Sequence, residues 1–262
     1  MKTISLENAV GEYYPAGLKR LEYASAVDGL KDWALLLHGE RKGLWIIFIH
    51  GHGSNGDQLF TRRDLRETWL PVFRDSGAGI LCANLRGNAW MGPSAADDMQ
   101  DLLNYLRAEH DMRKTIFCSG SMGGTSNLIY AVLHPEDVNG LIIRGAASDL
   151  ASYYRWCRSQ KKPIIRCIAE AIKISYGGTP DEKPDLYLKH SAIADAGKLT
   201  MPLFLVHGGA DEIIPVEQAR SLAGKMKKCK NFSYTEIPGG NHDSPLLEKI
   251  SFTTIIKMLK TD

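Results

Sequence analysis

The sequence has 262 residues, of which 44% are apolar and 24% charged, proportions that suit a globular protein with a substantial buried core. A net charge of +2 is too mild to argue for a nucleic-acid partner, and no apolar run is long enough to span a bilayer. Five cysteines without metal-like spacing read as reduced thiols rather than a disulfide framework.

In chain order, MKTISLENAVGEYY lacks the apolar middle section of a secretory signal, so a cytoplasmic location is expected. LKRLEYASAV and KDWALLLHGE read as leading strands, an antiparallel hairpin at one sheet edge. GLWIIFIHG is nearly continuous in apolar residues and ends in glycine, as a strand covered on both faces should. AGILCANLRG, KTIFCSG, VNGLIIRGAAS and MPLFLVHGG have the same form, and NFSYTEI is the last strand.

Helices lie between them. Met99, Leu102, Leu103 and Leu106 recur at helical spacing, with Ser94 and Asp97 as a capping-box-like start. Ala219, Leu222, Ala223 and Met226 repeat the pattern, with Pro215 in the first turn. Regular alternation of strand and helix predicts a mostly parallel twisted sheet with helices on both faces. Residues 1–262 then form a single α/β domain. Within it 149–198, which shows no clear strand and is broken by Pro163, Pro180 and Pro184, reads as a helical cap over the C-terminal sheet edge.

The stretch CSGSMGG joins the KTIFCSG strand to the helix SMGGTSNLIYAVLHP. A serine at such a junction fits a nucleophile elbow, a sharp turn whose flanking positions must be small because strand and helix pass closely. Ser121 has Ser119 and Gly123 at those positions, whereas Ser119 would have the bulky Phe117. Ser121 is therefore the candidate nucleophile. The competing reading is a glycine-rich turn that only packs or cradles a phosphate, and no lysine follows to make a P-loop.

A serine needs a base and a group to orient that base. Asp211, after the MPLFLVHGG strand, and His242, after the last strand, both fall at the C-terminal edge. Asp149 is the main rival acid, Glu212 and Asp243 are weaker ones, and His207 reads as structural. For the oxyanion, the backbone N–H groups of Met122 and of His52, in the loop IHGHGSNGDQ, are the candidate donors. His50 and His52 lack supporting carboxylates or cysteines at ligand spacing, so no metal is expected.

HGHG, SGSMGG, HGGADEIIP and GGNHD, in that order and joined by NLRGNAWMGP, resemble the α/β-hydrolase superfamily, within it the prolyl oligopeptidase-like serine hydrolases and small bacterial esterases. The resemblance runs from about Leu44 to the end. It implies the α/β-hydrolase fold, Ser121, Asp211 and His242 as a triad, and His52 and Met122 as the oxyanion hole. Ser119 departs from the usual first motif glycine.

The expected function is hydrolysis of a small-molecule carboxylic ester, short-acyl or carbohydrate, through an acyl-enzyme and without metal or organic cofactor. Thioesterase, amidase or peptidase activity, or a catalytically silent ligand-binding protein on the same fold, are the alternatives. Tyr153, Tyr154 and Trp156 in the cap, with Arg86, are candidate substrate-binding residues, and Arg155 and Arg158 could meet an anion. The competing reading is an amphipathic helix that packs Ile164, Ile165, Ile168 and Ala169 down and leaves its basic face in solvent.

Overall fold

A computed structural model describes residues 1–248 and 252–259. The strands are β1 (Lys2–Asn8), β2 (Lys19–Ala24), β3 (Lys31–Leu37), β4 (Leu44–Ile49), β5 (Gly79–Ala83), β6 (Lys114–Gly120), β7 (Gly140–Arg144), β8 (Leu203–Gly208) and β9 (Phe232–Ile237). The helices are α1 (Gln58–Thr61), α2 (Arg63–Asp75), α3 (Pro93–His110), α4 (Ser121–Leu133), α5 (Leu150–Ser159), α6 (Pro163–Tyr176), α7 (Pro184–Lys189), α8 (Glu217–Met226), α9 (Ser244–Leu247) and α10 (Phe252–Met258).

All nine strands form one sheet in the order β1-β2-β3-β5-β4-β6-β7-β8-β9. β1, β2, β3 and β5 pair antiparallel, and from β5 onward every neighbouring pair is parallel. The chain moves one way from β4 to β5 and the other way to β6. Beside β4 it therefore has the topological switch point where open α/β sheets bind ligands.

Continuous apolarity in the strands has the expected cause. On β4, Trp45, Ile47 and Ile49 face one core with α3, α4, α8 and the cap helices, while Leu44, Ile46 and Phe48 face a second with α1, α2, α9 and α10. Helices thus cover both faces of the sheet.

Three local expectations are corrected. β1 was not read from the sequence, and its Ile4 and Leu6 remain 48% and 40% exposed, an edge strand with little apolar signal. α3 starts at Pro93 with Gly92 as its N-cap and no side-chain cap, so Ser94 and Asp97 form no capping box. A Cβ on Gly92 would meet Ser175 Oγ at 2.1 Å, so the close approach of α6 selects glycine there. α8 begins at Glu217, leaving Pro215 just ahead of it.

Between β7 and β8, α5, α6 and α7 lie against the loop after β5. Tyr176 donates its hydroxyl to the carbonyls of Trp90 and Met91, and Ser175 Oγ donates to Ala89. His190 is buried beside Met91 and Tyr176, and its pKa is pushed down to about 4, chiefly by burial. Between pH ~6.5 and that value the unfolded chain binds this proton and the folded chain does not. Stability is therefore expected to fall as pH drops through this window, by on the order of 3 kcal/mol from this residue. Urea unfolding at pH 7.0, 5.5 and 4.5 checks it: His190→Gln should show a shallower decline, and parallel curves would contradict the assignment.

Candidate active site

β6 delivers Ser121 at the first position of α4 with φ 57°, the left-handed region that a serine enters only under constraint. The constraint is close packing. A Cβ on Gly123 would sit 1.9 Å from Ile49 O, so only glycine lets α4 cross the end of β4.

Ser119 has its own reason to replace glycine. The β4–β6 register ends at Ile47–Phe117, and Ser119 Oγ then accepts the Ile49 N–H at 2.9 Å. This bond supplies the partner that the splayed strands withdraw, just ahead of the loop 50–53.

Ser121 Oγ lies 2.9 Å from His242 Nε2, and His242 Nδ1 lies 2.7 Å from Asp211 Oδ2. Asp211 is buried and also accepts the N–H groups of Ile213 (2.8 Å) and Ile214 (2.9 Å) on Oδ1, with His207 Nε2 3.3 Å from Oδ2. Burial pushes this carboxyl up, but the hydrogen bonds from His207, His242 and Ile214 outweigh it and hold it well below the usual carboxylate range. An ionised Asp211 only accepts, so His242 must donate from Nδ1. Its Nε2 then carries the lone pair that faces the Ser121 hydroxyl.

The rival acids are committed elsewhere. Asp149 caps α5 by accepting Ser152 N–H, Glu212 pairs with Lys162, and Asp243 pairs with Arg62 at 3.0 Å. His207 donates to Ile214 O at 2.8 Å, which buttresses the loop carrying Asp211.

The loop 50–53 lies against the elbow: a Cβ on Gly51 would be 3.9 Å from Ser121 Cβ. Gly51 N–H donates to Gln58 Oε1 (2.8 Å) and Gly53 N–H to Asn88 Oδ1 (2.7 Å). The N–H of His52, between them, has no acceptor among the described residues. Met122, in the first turn of α4, likewise has no intrahelical acceptor for its N–H. Both ring nitrogens of His50 face carbonyls, of Gly51 and Asn84. The sequence does not single out Gln58 and Asn88. Each acts by accepting one distant backbone N–H on its side chain, which leaves no pattern along the chain.

A cavity of about 210 Å³ opens beside Ser121 and His242, with Phe48, Leu65, Trp69, Ile164, Ile168 and Leu246 among its walls. The cap thus contributes isoleucines, not its aromatics. Ile164, expected to pack down, is 53% exposed and faces this space.

Tyr153 is fully buried, donates to Ile213 O at 3.1 Å and stacks on Trp156 at 6.0 Å, while buried Tyr154 meets Tyr187 edge-on. None of the three lines the cavity. Arg86 does not line it either: its guanidinium is held by Asp28, Asp98 and Ser25, a structural knot. A larger hollow of about 670 Å³ between His38, Glu40 and α2 lies away from these groups and holds no nucleophile.

The strained serine following β6 and the sheet order fix the architecture, and residues 45–166 match the family model described as the alpha/beta hydrolase fold. The chain has the α/β-hydrolase fold. Among curated relatives, 72 residues are 33% identical to esterase LipC of Mycobacterium tuberculosis, covering 27% of this chain and 18% of that one. The chain therefore matches less than a fifth of LipC.

Two solved structures share the architecture at low identity. One is the fluorophosphonate-binding serine hydrolase FphF of Staphylococcus aureus, with TM-score 0.69 and 14% identity over 94% of this chain and all of that one. The other is a puromycin-hydrolyzing peptidase of Mycobacterium tuberculosis, with TM-score 0.64 and 15% identity over 95% of this chain and 39% of that one. Among the described residues, no helix is long and apolar enough to cross a membrane.

Proposed function

We propose that this α/β-hydrolase-fold protein is a serine hydrolase that cleaves carboxylic esters of short acyl chains through an acyl-enzyme. The observation that carries the reading is the chain of contacts from Ser121 through His242 to an ionised Asp211. Esterase LipC and FphF, as named, are consistent with it.

In this reading Ser121 Oγ attacks the carbonyl carbon while its proton passes to His242 Nε2. Asp211 stabilises the imidazolium through Nδ1–H. The N–H groups of His52 and Met122 receive the oxyanion. The intermediate collapses, the alcohol leaves with the proton from Nε2, and a water repeats the sequence on the acyl carbon to release the acid. The small apolar cavity favours a short acyl chain, and the burial of Tyr153 and Tyr154 removes the aromatic surface on which a carbohydrate preference would rest.

The test is intact mass and peptide mapping after exposure to a fluorophosphonate, followed by matched ester, thioester and anilide substrates. One adduct, on Ser121 and absent from His242→Ala, is expected, with esters turned over fastest. A folded protein that takes no label would remove the serine mechanism and favour the ligand-binding alternative.

A further inference from the structure

A second hollow, of about 580 Å³, adjoins the cavity beside Ser121, and His52 lines both. Its polar lining comprises His52, Asn88, Arg158, Lys161, Arg166 and Glu170. The two cap arginines singled out in the sequence are neutralised: Arg155 pairs with Asp181 at 2.7 Å and Arg158 with Glu170 at 2.5 Å. Lys162 is likewise paired, with Glu212. Lys161 and Arg166 enter no ion pair among the described residues, and both line the hollow, which is left with two uncompensated positive charges.

The uncharged groups add donors rather than acceptors. Asn88 Oδ1 is taken by Gly53 N–H, which leaves its Nδ2 hydrogens. His52 Nδ1 accepts from Trp90 Nε1 at 3.2 Å, so the proton of the neutral ring sits on Nε2. Burial lowers the pKa of this imidazole, which favours the neutral form. Among the described residues, the only carboxylate in the lining is Glu170, which pairs with Arg158. A hollow with two unpaired cations, further N–H donors and a carboxylate already paired to Arg158 is suited to an anion.

We infer that this hollow binds an anionic oxygen group, carboxylate or phosphate, on the alcohol portion of the ester. It rests on the serine-hydrolase reading and deepens it: the small apolar cavity takes the acyl chain, so the remainder of the substrate extends past His52 toward Lys161 and Arg166. Those two are substrate-positioning residues, acting on KM through charge.

The experiment compares acetate esters of 3-hydroxybenzoate and of 3-(4-hydroxyphenyl)propanoate with their own carboxamides, and the acetate of 3-hydroxyphenyl phosphate with that of its neutral dimethyl phosphate ester. The carboxylate and phosphate arms separate the two sources of charge. In the wild type kcat/KM for at least one anionic ester should exceed that of its neutral partner by about tenfold, mostly through KM, and the ratio should shrink with added salt. In Lys161→Gln/Arg166→Gln the ratio should fall to near one, and Lys161→Glu/Arg166→Glu should favour the neutral ester.

Ratios near one throughout in a wild type that turns over esters and takes the fluorophosphonate would overturn the anion site while leaving the hydrolase reading intact. So would a preference that survives in both double variants. Absence of both turnover and label would remove the hydrolase reading, and the anion site with it.

Discussion

Ser121→Ala is expected to lower kcat on a short-chain ester by about 10⁶-fold while leaving a folded protein, because a triad whose members act as one unit loses nearly all its advantage when the nucleophile goes. The structure adds a second expectation that a passive serine would not produce. Ser121 is held at φ 57°, where a residue with a Cβ is strained by on the order of 1–2 kcal/mol. Ser121→Gly relieves that strain and Ser121→Ala retains it. Both should be inactive, yet the glycine variant should melt higher than the alanine variant by about 2–4 °C. Equal melting temperatures would mean that the elbow is not strained. A residual rate within a hundredfold of wild type would mean that Ser121 is not the nucleophile.

The strain explains why this part of the molecule was legible in the sequence. A sharp strand-to-helix turn excludes large side chains on both sides of its strained residue, so it leaves a local signature: Ser119 and Gly123 flank Ser121, whereas Ser119 would have Phe117. Buried parallel strands also mark themselves, because both faces must be apolar. Asp211 and His242 followed from strand order, and the side chains meet at 2.7 Å.

The cap was read less well for a physical reason. Its sequence shows which residues are aromatic or basic, but not which side of α5 or α6 the cavity lies on. Tyr153 spends its hydroxyl on Ile213 O, deep in the core, while Ile164 and Ile168, apolar residues expected to pack down, border the cavity beside Ser121. Charges behave likewise. The Arg86 guanidinium is held by Asp28 and Asp98, brought to it from other segments, and the cations of the second hollow that enter no ion pair among the described residues are Lys161 and Arg166 rather than Arg155 and Arg158. Pairing is a tertiary property, and a one-dimensional charge run does not encode it.

Asp211→Asn should be the most damaging change outside the nucleophile and base, with a loss of about 10⁴-fold in kcat at neutral pH. The size follows from which way the new amide must face. Asp211 Oδ1 accepts two backbone N–H groups, of Ile213 and Ile214, so the amide oxygen is forced to that side. The NH₂ then takes the place of Oδ2, 2.7 Å from His242 Nδ1, and donates to it. Nδ1 becomes the acceptor, the ring proton moves to Nε2, and the imidazole presents a hydrogen to Ser121 where it should present a lone pair. No base remains, although every side chain keeps its position. Nitrogen-15 NMR of the histidine rings should report this tautomer change at His242, and fluorophosphonate labelling should slow in parallel with kcat. Asp211→Asn with the wild-type tautomer and less than a hundredfold loss would show that Asp211 does not orient the base.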